Sequence, residues 1–264
     1  MMEKDNKFIG ESITRLASIY RKMEVNFERP VIVNIQGTRE IRHREYTDLL
    51  ACFLKGVKMV STLHGALVLL ESGCVQEVAA LCRMVNDLNS EIAFLTVPHV
   101  GQSLSPDQTR FLEDFFQEEY DQSDPGLTSQ KRATVSVKKI HAALARISEP
   151  AMNPSDAQEM HRTMHKSMSG YVHGAYAHIM DMYGGDPPHF HTQGMLGTPR
   201  VAQWRPLLQS CVHRSTVTTV GVAWKLGLQE VYEEASQVLR EYEQATGFKR
   251  EGSVRALKIK HEAT

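Results

Sequence analysis

Apolar positions recur at helical spacing along most of the chain. Within residues 5 to 24 they fall at Phe8, Ile9, Ile13, Leu16, Ile19 and Tyr20, one face of an amphipathic helix. The run RPVIVNIQGT, 29 to 38, is the one convincing β-type pattern, and without a partner strand it reads as an extended arm. From Glu40 the pattern turns helical for about thirty residues, apolar almost all round between Leu49 and Leu70, and Gly73 marks a stop. A second helix is expected from about Gln76 to Thr96, ended by Pro98. SPDQTRFLEDFFQEEY then opens with a serine cap and a proline in the first turn, a well-formed helix start.

Residues 121 to 130 read as a loop, 131 to 147 as a helix, and EPAMNPSD as a break before a long helix from about Ser155 to Tyr183. The segment 184 to 200 is a loop rich in Gly, Pro and His, of a length associated with functional or mobile segments. Helices follow at roughly 198 to 226 and 228 to 246. About seven helices and one short extended segment near 31 to 35 predict an all-α multi-helix bundle. The expected organisation is an N-terminal helix and arm over 1 to 39, a helical bundle over 40 to 247 and a basic tail over 248 to 264.

Composition narrows the partners. Thirty basic residues against thirty-one acidic ones leave a net charge of -1, which supplies no global attraction for nucleic acid or membrane. The N-terminus carries acids and no apolar h-region, and the most apolar run, Val60 to Leu70, is short of the ~20 residues of a bilayer span. Cys52, Cys74, Cys82 and Cys211 are widely spaced with no Cys-x-x-Cys pair, the usage of reduced thiols in a cytosolic protein. A soluble cytoplasmic protein is expected, with no membrane partner.

The stretch SGYVHGAYAH, 169 to 178, carries the densest chemistry. On a wheel of ~100° per residue starting at Met164, the residues Met168, Val172, Ala175, Ile179 and Met182 form a core stripe. Gly170, Gly174 and Ala177 form a small-residue face that admits a close helix. Between these faces lie Arg162, His165, Ser169, His173 and Tyr176, a polar ridge on which a half-buried histidine can serve as acid or base. His178 falls away from that ridge. His161 and His165 have the spacing of a helical metal pair, but Arg162 stands where His-Glu-x-x-His has its glutamate and repels a cation. His189 and His191, with Asp186 nearby, form a second and weaker ligand pattern. No metal or cofactor is expected.

On the second helix Arg83, Asp87, Ser90 and Glu91 lie close to one face, opposite Val78, Leu81, Val85, Leu88, Ile92 and Leu95. Such a stripe is either a set of surface ion pairs or the carboxylate partner of the histidine ridge across the bundle. In the second case an acid orients the imidazole for proton transfer.

The apolar helix ending near a glycine, the Arg83-x-x-x-Asp87 element and SGYVHG together resemble a broad bacterial family of all-helical proteins of unknown function, over roughly residues 45 to 180. The helical shape also resembles the HEPN-type nucleases and abortive-infection proteins, marked by an arginine four to six residues before a histidine on one helix. This chain departs from that mark, with Arg162 three positions before His165 and eleven before His173. Two functional expectations follow. One is an interaction protein of a stress or defence system, forming a homo-oligomer or holding a protein partner through the glycine face and the apolar helix. The other is a metal-independent ribonuclease with His173 as acid and base, Arg162 on phosphate, His165 and Arg83 beside them, and Asp87 or Glu91 orienting the histidine. Lys249, Arg250, Arg255, Lys258 and Lys260 in the tail offer a third, electrostatic route to nucleic acid.

Overall fold

The computed structural model describes residues 2–96, 103–129, 131, 132, 134–146 and 154–248. Among them are nine α-helices and two small hairpins, so the chain is an all-α bundle. The helices are α1 (Met2–Glu24), α2 (Asp48–Glu71), α3 (Val75–Thr96), α4 (Pro106–Phe116), α5 (Val137–Ala145), α6 (Pro154–Val172), α7 (Tyr176–Met180), α8 (Pro199–Lys225) and α9 (Gln229–Thr246). The hairpins pair β1 (Val31–Ile35) with β2 (Thr38–Arg42) and β3 (Tyr183–Gly184) with β4 (His189–Phe190). The basic tail from 249 onward lies outside the described residues.

The centre of the bundle is α3, which packs against α2, α5, α6 and α8, while α1 lies over α2, α8 and α9. Ile9, Leu16, Ile19 and Met23 of α1 share one core with Met59 and Leu63 of α2, Val78, Val85 and Ile92 of α3, Leu208 of α8 and Val238 of α9. The first helix is therefore built into the bundle. By length and composition α2 could cross a membrane, yet Leu50, Met59, Leu63, Ala66 and Leu70 are buried against neighbouring helices. Helix α4 begins as its sequence dictates. Ser105 accepts from the Gln108 amide, and the Gln108 side chain accepts from the Ser105 amide while donating to the Phe94 carbonyl at 2.6 Å.

Three expectations are corrected. The extended segment near 31 to 35 has a partner: Ile35 pairs with Thr38 around Gln36 and Gly37, both at positive φ, so a two-residue turn closes a hairpin and α2 starts only at Asp48. The long helix predicted to Tyr183 stops at Val172. Gly174 adopts φ +60 and the Ala175 amide donates to the Gly170 carbonyl at 2.9 Å, a glycine-terminated helix end. The chain then reverses into the short α7, and the loop over 184 to 200 contains β4 and the start of α8.

That reversal also reassigns the glycine face. A Cβ at Gly170 would lie 2.1 Å from Cε1 of His178, so this glycine makes room for the imidazole that follows the turn, not for another helix. Tyr171 and His178 meet edge to face at 4.2 Å between ring centres, and Gln76 donates to the His178 carbonyl at 2.8 Å.

Candidate functional site

The polar stripe of α3 faces the space between α5, α6 and α8. Arg83, Asn86, Asp87 and Ser90 recur at i, i+3, i+4 and i+7, and all four line one internal cavity. His141 from α5, His165 and Met168 from α6 and Arg214 from α8 complete its wall. The space is small, about 10 Å³, room for about one water molecule, and its Asp87 and His165 edge is partly exposed.

Arg83 organises the cluster. Its Nη1 donates to Ser169 Oγ at 3.0 Å, its Nη2 meets His165 Nε2 at 3.0 Å, and its Nε lies 3.7 Å from Asp87 Oδ2. One planar guanidinium can reach three acceptors because its donors form a rigid fork. His165 Nε2 lies 3.7 Å from the other Asp87 oxygen, and the His141 ring stands edge-on to His165 at 6.1 Å. Burial holds the Asp87 carboxyl above the usual aspartate range, against the opposing pull of the Arg83 guanidinium.

Arg214 enters from the other side. It donates to Asn86 Oδ1 at 3.3 Å and Ser90 Oγ at 2.9 Å, both neutral oxygens. Burial lowers the affinity of this guanidinium for its proton, with Asp87 acting on it only at longer range. Two guanidiniums and one carboxylate thus meet around a small polar space, together with two imidazoles. A half-buried set with excess positive charge favours an anion.

The sequence-derived residues divide into two groups. Arg83, Asp87 and His165 converge. Glu91 points the other way, accepting from Lys55 at 2.7 Å, and that ammonium also sits 4.5 Å over the Phe115 ring. Arg162 is exposed and held by Glu159 at 2.7 Å. His173 is exposed in the turn after α6, where its amide donates to the Ser169 carbonyl at 3.1 Å. The ridge does not reach Tyr176, because the helix ends at the Gly174 turn, and its two ends Arg162 and His173 face solvent while His165 and Ser169 contact Arg83. The side chain of His161 lies outside the described residues.

Sequence reasoning missed Asn86, His141 and Arg214. Asn86 carried a signal, since it stands three residues from Arg83 on the same stripe. His141 and Arg214 come from helices far along the chain, and only packing shows that they face α3.

No model of a known protein family, no curated protein and no solved structure matches this chain.

Elsewhere, the His189 and His191 rings lie 4.3 Å apart between centres, tilted by 45°, and His189 Nδ1 contacts the Pro187 carbonyl at 2.9 Å. Among the described residues no third His, Cys, Asp or Glu joins them as a ligand group. Cys52, Cys82 and Cys211 are buried thiols and Cys74 is half-buried, none of them in a disulfide.

Proposed function

We propose that this soluble, cytoplasmic helical-bundle protein cleaves RNA without a metal, using the cluster around Arg83. The observation that carries the reading is the contact of Arg83 with His165, beside Asp87, in a cavity shared with His141 and Arg214. RNA cleavage by its own 2′-hydroxyl needs what this set supplies: a base, an acid and cations on the phosphate.

In the resting arrangement the lone pair of His165 Nε2 is occupied by Arg83. A phosphodiester entering the cavity competes for that guanidinium, and Arg83 and Arg214 take its non-bridging oxygens. His165 Nε2 is thereby released to accept the proton of the 2′-hydroxyl. The 2′-oxygen bonds to phosphorus, the bond from phosphorus to the 5′-oxygen breaks, and protonated His141 delivers a proton to that leaving oxygen. Asp87 steadies the imidazolium formed at His165. The cavity holds about one water as it stands, so entry requires α5 and α6 to part from α3.

The test uses purified protein, chelator and total RNA. Degradation by the wild type, lost in a His165→Ala variant of unchanged thermal unfolding, supports the reading. Equal degradation by both, or none by the wild type, overturns it.

A second reading, an interaction protein, is favoured by a different observation. Val172, Tyr176, Ile179, Tyr183, Phe190 and Leu196, all within 25 residues, are exposed, Tyr176 by 81% and Leu196 by 64%. Concentrations of exposed apolar side chains mark contact surfaces. Gly170 does not add to this surface, because His178 covers it, while α2 is half buried in the bundle and leaves Val57 and Val68 exposed. Sedimentation showing a monomer at micromolar concentration counts against a homo-oligomer.

A further inference from the structure

A second opening lies on the far side of Met168. This residue, 5% exposed, lines both the Arg83 cavity and an open groove of about 400 Å³ between α6 and α8. The groove falls within the volume range of small-molecule clefts, which begins near ~300 Å³. One side chain therefore separates a site suited to an anion from a site large enough for a planar ring.

The groove's chemistry differs from that of the cavity. Tyr171 and Trp204 meet edge to face at 4.9 Å and 90°, and with Met168 and Leu207 they form an apolar wall. The charges nearby are already matched. Asp181 pairs with Arg200 at 3.2 Å and accepts from Tyr171 Oη at 3.0 Å. Burial, and after it that hydrogen bond, push the Tyr171 phenol up to about 12, so it stays a neutral donor. With its ion pair satisfied, the groove has no excess charge to attract a phosphate. The exposed Gln203 amide at the rim supplies one acceptor and two donors, suited to the edge of an uncharged heteroaromatic ring.

We infer that this groove takes the nucleobase of the nucleotide whose phosphate lies in the Arg83 cavity. The inference rests on the phosphodiester reading and deepens it: the substrate is single-stranded, because a base must leave its stack to enter an aromatic cleft. Tyr171 and Trp204 offer ring surface, Gln203 contacts the base edge, and Met168 is the partition between base and phosphate.

The chain has two tryptophans, so Trp224→Phe leaves Trp204 as the sole indole reporter. Titration of that full-length variant with adenosine 5′-monophosphate is expected to change Trp204 fluorescence saturably, whereas ribose 5-phosphate, which lacks the ring, leaves it unchanged. Ser167→Leu, at an exposed position on the groove wall, is expected to weaken the nucleotide at least tenfold without altering the fold. A flat titration, an equal response to both ligands, or unchanged affinity in Ser167→Leu overturns the inference. RNA cleavage is scored separately. Nucleotide binding without cleavage removes the ribonuclease reading and leaves the base site standing, while cleavage without nucleotide binding does the reverse.

Discussion

Arg83 Nη2 and His165 Nε2 are 3.0 Å apart, joining α3 to α6. A guanidinium can only donate, so His165 Nε2 is the acceptor, and the ring is neutral with its proton on Nδ1. Long-range proton–nitrogen spectra of labelled protein are expected to show His165 in that tautomer. In Arg83→Ala, with the donor gone and Asp87 beside Nε2, the proton is expected to move to Nε2.

Removing Arg83 also leaves acceptors in a half-buried cluster without a partner. Arg83→Ala is expected to cost on the order of 1–3 kcal/mol, read as a lower urea midpoint with an unchanged slope. Arg83→Lys is expected to recover little of this, because an ammonium cannot reach Ser169, His165 and Asp87 together as the fork does. Full recovery in the lysine variant contradicts the role given to the fork.

Gly170 and His178 form the closest approach behind the site. Gly170→Ala puts a methyl 2.1 Å from the imidazole, which must swing off Tyr171, at a cost of about 1–3 kcal/mol. In a His178→Ala background the clash is gone and the same change is expected to stabilise by up to ~1 kcal/mol, the helical preference of alanine over glycine. A reversal of sign between the two backgrounds in chemical denaturation checks this.

Asp87 sets a pH dependence. Its folded carboxyl is raised above the ordinary value of 3.8, chiefly by burial, so the folded protein binds more protons there than the unfolded chain. Its contribution to stability therefore falls as pH rises from 3.8 through the raised value. Asp87→Asn removes that fall. The melting temperature of the variant relative to the wild type is expected to rise across this window, and a difference independent of pH contradicts the assignment.

How far the sequence could be read depended on what each feature requires. Helices with an uninterrupted apolar period, α1 and α3 above all, were visible because burial of one face imposes that period. Arg83 and Asp87 were visible on the same ground, as a polar stripe opposite a core stripe. Tyr176 was misplaced because its alignment assumed that helical phase runs through Gly174, whereas at φ +60 that glycine ends the helix, and Arg162 and His173 were misplaced because they face solvent and not another helix. The β1–β2 hairpin was hidden because its turn is Gln36-Gly37, and glutamine seldom takes positive φ. Arg214 and His141 join the site only through helix packing, which no local pattern encodes.

The most direct test of the central claim is cleavage of a single-stranded RNA oligonucleotide in chelator, with 2′-O-methyl groups at alternate positions. The structure predicts cuts only after unmodified riboses, each leaving a 2′,3′-cyclic phosphate, and none in His165→Ala. Cleavage after a 2′-O-methyl ribose, or activity that chelator abolishes, contradicts it.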